Sequence, residues 1–105
     1  MQTLKNHVTL IGSLRTKPEI TNFENGRKVA RFQVATNRYT KKDKKARIEW
    51  HRVFAWGNMA QFMENHAKIG NELAIHGRLV HRTYLTRNGE ERKITEVEVK
   101  HVIGL

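Results

Sequence analysis

Trp50, Arg52, Phe54 and Trp56 are spaced two apart in the sequence, and side chains at that spacing on an extended chain project from one face. Two indoles, a phenyl ring and a guanidinium on one face can do a particular kind of chemistry. Flat rings stack on unpaired nucleobases, while Lys and Arg pair with the phosphates. Large aromatics more usually enter a core. Here the other parity already offers Val53 and Ala55, small enough to fill a narrow barrel, and Arg52 between the rings would be costly to bury unpaired. Trp50 and Trp56 are therefore expected on an exposed platform. For Phe54 core and platform balance, and it is counted with the candidate site. Arg82 and Tyr84 repeat the pairing of cation and ring on a later segment whose core parity is Leu73, Ile75 and Leu79. Tyr39 stands where a basic run begins: Lys41, Lys42, Lys44, Lys45 and Arg47, with Asp43 its only acid. These four lysines and Arg47 are expected to follow phosphates as a mobile arm.

Other chemistries find less support. The six histidines, His7, His51, His66, His76, His81 and His101, show no metal-ligand spacing. Scattered surface or interface positions are the simpler reading. Ser13 is the only serine and there is no cysteine, so nucleophiles are scarce and disulfides are excluded. Glu96 and Glu98 share a strand face, as a metal-dependent nuclease would want, but a solvated face pairing with nearby Lys and Arg accounts for them more simply. No catalytic residue, metal or cofactor is expected. Twenty Lys and Arg against ten Asp and Glu give a formal charge of +10, a field that attracts polyanions. No run is long and apolar enough to span a bilayer, and the start, MQTLKNHVTL, lacks a signal peptide's apolar stretch. A cytoplasmic, nucleoid-associated protein is expected.

These residues need strands to hold them. Leu4, Val8, Leu10 and Leu14 share a parity with Gly12 among them, which predicts a half-buried strand with a bulge or sharp bend at the glycine. Pro18 interrupts, a short segment ends at Phe23, and Asn25-Gly26 marks a turn. A second strand runs from about Lys28 to Arg38, with Ala30, Phe32, Val34 and Thr36 inward, and a third from about Ile48 to Trp56. The period then changes. Met59, Phe62, Met63 and His66 fall at helical spacing, Asn58 can cap that helix, and Gly70 would end it. A fourth strand spans Leu73 to Tyr84, Asn88-Gly89 turns a hairpin, and a fifth strand faces Thr95, Val97 and Val99 inward. The expected fold is all-β. It is a five-stranded Greek-key barrel of the OB type, with one short helix between the third and fourth strands, in a single domain over residues 1–105.

The segments HVTLIGSL, KPE, NGRKVARFQVAT, EWHRVFAWGNMA, IGNELAIHGRL and GEERKITEVEV resemble those of bacterial-type single-stranded DNA-binding proteins over nearly the whole chain. WHRV…WGN followed by GNELAIHGRL is the most specific part. The resemblance implies sequence-nonspecific binding and protection of single-stranded DNA during replication, recombination or repair. It places the stacking aromatics at Trp50, Trp56, Tyr84 and Tyr39, a basic binding residue at Arg52, and a subunit-interface histidine at His51. It further implies a homotetramer built from dimers whose N-terminal strands pair. Such proteins usually continue into a flexible tail with an acidic tip that docks enzymes. This sequence stops at Val102–Leu105 after the last expected strand, so tail-mediated recruitment is not among the expectations. A tailless primosomal protein or an RNA-binding OB module is the alternative. Stacking and charge do not separate DNA from RNA; contacts to the 2′-hydroxyl do.

Overall fold

A computed structural model describes residues 5–42 and 44–105, with the backbone alone for residues 39, 40 and 45. The elements are β1 (Val8–Leu14), β2 (Glu19–Asn22), β3 (Lys28–Thr40), β4 (Lys45–Trp56), α1 (Asn58–His66), β5 (Glu72–Leu85) and β6 (Glu91–Gly104). The expected start of β1 at Leu4 lies outside the described residues. The five expected strands are present as β1, β3, β4, β5 and β6. A sixth, β2, forms a hairpin with β3 around Asn25-Gly26, where Asn25 Oδ1 accepts from the Arg27 amide at 3.0 Å. With β2 counted, the helix lies between β4 and β5 rather than between a third and fourth strand. β2 went unrecognised because its four residues, EITN, are mostly polar and show no alternation.

The strand order β1-β5-β6-β4-β3 closes into a barrel through β1–β3. Two wide ribbons carry most of the pairing. β3 and β4 match over twelve register pairs and β5 and β6 over thirteen. They join through two narrow seams. β4 meets β6 in parallel only at Val53↔Val97 and Phe54↔Glu98, and β1 meets β3 only at Ser13↔Ala35 and Leu14↔Val34. β1 reaches β3 because Gly12 permits it: a Cβ there would collide with the Ala35 carbonyl oxygen. Gly77 has the same reason. A side chain would strike the Glu98 carbonyl, beside the irregularity where β5 and β6 shift register at His76/Gly77.

The core follows the expected parity: Leu14, Ala30, Phe32, Val34, Val53, Ala55, Leu73, Ile75, Val97 and Val99 are buried. Leu79 and Thr95 depart from it. Both are exposed, because β5 and β6 run on past the barrel wall. α1 buries Ala60 and Met63, with Met59 and Phe62 partly buried against the core. Asn58 is the first helical residue and not the cap. Gly57 occupies the cap position with no side-chain hydrogen bond. The helix ends at His66, and Gly70 turns the chain afterwards, its amide donating to Leu14 O at 2.8 Å.

Candidate nucleic-acid interface

The sheet surface of β3 and β4 carries the aromatic residues. Trp50, opposite Ala35, is 57% exposed, with the Arg15 guanidinium 6.0 Å from its ring centroid. Arg52, opposite Gln33, is exposed. Phe54 shares their parity yet is only 7% exposed, and the Arg31 guanidinium lies 5.3 Å over its ring. Parity defined its face but not its lateral neighbours. Phe54 has β3 on one side and β6 on the other, at the seam, whereas Trp50 lies past that seam. Trp56 ends β4, partly buried, with the Arg27 guanidinium 4.2 Å from its ring. Tyr84, opposite Arg92 near the end of β5, is 45% exposed. Between Trp50 and Leu79 the wall opens into a cleft, lined also by His51, Ile94 and Thr95. His51 is half-buried, its Nε2 2.9 Å from Thr36 Oγ1.

The basic run is not a loop. β3 and β4 extend it into a hairpin, Tyr39 pairing with Ala46 and Thr40 with Lys45. Lys41, Lys42 and Lys44 are exposed in the turn, Lys44 with a positive φ of 51°. The expectations for the side chains of Tyr39 and Lys45, and for Asp43, lie outside the described residues. The ion pair of Arg38 with Glu49 at 3.7 Å crosses the hairpin.

The acidic strand face finds the Arg and Lys partners that the sequence suggested, but not the solvation. Glu96 is buried, 5% exposed, where a solvated carboxylate was expected. Arg31 Nη1 donates to its Oε2 at 2.8 Å, and Arg82 Nε lies 3.0 Å from its Oε1. Glu98 accepts from Arg78 Nε at 2.6 Å, with Lys100 at 3.6 Å. Three histidines with no linear relation also converge. His76 Nε2 lies 2.8 Å from His7 Nδ1, and its ring stacks with His101 at 6.0 Å. Partial burial, then the neighbouring His7 and His101, hold His76 below its ordinary value. Among the described residues no group of three His, Cys, Asp or Glu is arranged to hold a metal ion, and no helix is long and apolar enough to cross a membrane.

This exposed sheet of rings and cations on a closed barrel matches a known family. The model of the single-strand binding protein family fits residues 5–105. The chain belongs to the single-strand binding protein family. A solved structure described as a Plasmodium falciparum SSB in complex with ssDNA aligns at a TM-score of 0.88 and 27% identity, over 100% of this chain and 98% of that one. For a single-strand binding family member, the platform is wider than strand parity indicated. Phe23, 45% exposed, packs against Trp56 with ring centroids 5.8 Å apart. Arg15, Arg27 and Arg31 set their guanidiniums beside Trp50, Trp56 and Phe54. None of these four residues was legible as a site residue. The one available signal was the Asn25-Gly26 turn, which brings Phe23 and Arg27 together across a hairpin.

Proposed function

We propose that this protein binds and protects single-stranded DNA without sequence preference, in replication, recombination or repair, and performs no covalent chemistry on it. The observation that carries the reading is the exposed Trp50 indole on β4, in line with Arg52 and Trp56, on a chain of the single-strand binding protein family. The relative described as an ssDNA complex shares the fold over its full length. Bases stack on Trp50, on Trp56 with Phe23, and on Tyr84. Arg52, Arg82 and the hairpin lysines Lys41, Lys42, Lys44 and Lys45 meet phosphates. Tyr39 adds a ring at the hairpin. Phe54, beneath Arg31, supports this surface from below. The affinity is electrostatic in part and falls with salt.

The working unit is a homo-oligomer, a tetramer built from two dimers. The open edge of β1 supports this. Among the described residues, from Val8 to Gly12 the strand pairs with β5 on one side only, and β1 meets β3 first at Ser13. Such an edge is a template for another strand. A cytoplasmic, nucleoid-associated setting follows from the substrate.

A competition titration tests the function. Tryptophan emission should be quenched by single-stranded oligothymidylate, because an indole stacked on a base loses its excited state. Duplex should compete weakly. An RNA strand that competes better than DNA would turn the reading toward an RNA-binding module. Absence of quenching together with absence of binding would reject it.

A further inference from the structure

A carboxylate in the middle of a surface that holds polyanions needs a physical reason. Glu96 opposes the phosphates, and burying it would be costly without partners. Its two oxygens are divided between two guanidiniums, Oε2 to Arg31 at 2.8 Å and Oε1 to Arg82 at 3.0 Å. Arg31 comes from β3 and Arg82 from β5, so the carboxylate joins side chains of two different ribbons. Left alone, the guanidiniums would repel one another and sample many rotamers. The Glu96 side chain is 6% exposed while those of Arg31 and Arg82 are 39% and 50% exposed. The acid is thus sealed below, and the cations still face solvent. A guanidinium carries five N–H donors in a rigid fork, so each keeps donors for a ligand after binding Glu96. Arg31 is held a second time by the Phe54 ring. The three residues line one cleft of about 390 Å³, together with Arg52, Lys17 and Gln33.

We infer that Glu96 is a positioning residue for nucleic-acid binding: it fixes Arg31 and Arg82 before the strand arrives. The inference rests on the single-stranded DNA-binding reading and adds to it a role for a residue that touches no phosphate. Ordering a rotamer-rich side chain at an interface costs affinity, and each one ordered in advance spares roughly two- to tenfold.

Charge and position make opposite predictions for Glu96→Gln. The variant is nearly isosteric and removes one negative charge from the binding surface. If charge were the only effect, affinity for oligothymidylate would equal or exceed that of the wild type. Positioning predicts a loss of roughly tenfold for two released arginines. That deficit should persist at high salt, where the charge effect is screened. Affinity is read well below the melting transition of each protein. Equal or tighter binding by E96Q overturns the inference. A second measurement uses the wild type alone and decides the matter if E96Q does not fold. In nitrogen-15 spectra of the DNA-free protein, the Arg82 Nε–H should exchange with water markedly more slowly than that of Arg52, for which the described residues offer no partner. Equal exchange overturns the inference as well. A wild type that fails to bind single strands would sink the functional reading instead, and the exchange measurement would still report on the arginines.

Discussion

Trp50 and Phe54 show how far one residue's surroundings decide its role. They share a strand, a parity and an aromatic ring, yet one is 57% and the other 7% exposed. Trp50→Ala should leave the melting temperature nearly unchanged and weaken single-strand binding by about 1–3 kcal/mol, whatever the base. Phe54→Ala should instead cost about 3–5 kcal/mol of stability. Melts beside oligothymidylate titrations compare them, and the same balance of effects in both variants would refute the distinction. His76 offers a pH prediction of definite sign. Its value lies below the ordinary 6.5, so the unfolded chain takes up a proton first as pH falls. Stability present above that pH is lost on acidification through the folded value. Melting temperature should therefore drop as pH falls through and below the ordinary histidine value of 6.5, and drop less in His76→Gln. An identical decline in both proteins would exclude His76 as a source.

Elements were legible where a single period ran through them. The alternation in β4 sent Val53 and Ala55 inward, and both are buried. Helical spacing located α1 to within a few residues. The glycine inside β1 suggested a bulge or sharp bend, whereas what it permits is the close approach of the Ala35 carbonyl, with β1–β5 register running unbroken through it. What escaped lay across elements. β2 pairs in a hairpin without an apolar stripe, and Glu96 takes its arginines from positions 65 and 14 residues away. The Asn25-Gly26 turn is the one local trace of the first, and sequence neighbours carry none of the second. The basic run, expected as a mobile arm, is the tip of the β3–β4 hairpin. Replacing Lys41, Lys42, Lys44 and Lys45 by Gln should flatten the logarithmic dependence of affinity on salt, by roughly 0.7 for each phosphate no longer neutralised. An unchanged slope would show that the tip touches no phosphate.

For the molecule as a whole, the formal charge of +10 supports the proposed polyanion partner and the open β1 edge the proposed oligomer. Light scattering at micromolar concentration should give a multiple of the chain mass, four being the expectation; a monomer would leave the edge of β1 unexplained. The barrel's two narrow seams bear on its motions. Thirteen register pairs hold β5 to β6, but two hold β4 to β6, so fewer backbone pairings must open for the ribbons to part than for either to unravel. Local opening follows such weak boundaries. The amides that bridge β4 and β6 at the Val53–Phe54 and Val97–Glu98 pairs should trade deuterium sooner than those midway along the β3–β4 hairpin. The platform residues stand on one ribbon, and Arg82 and Tyr84 on the other. A bound strand reaching both becomes a splint across the opening, and deuterium uptake there should slow more on adding oligothymidylate than anywhere inside a ribbon. Seam amides that exchange no more slowly with the strand bound would place the DNA on one ribbon alone.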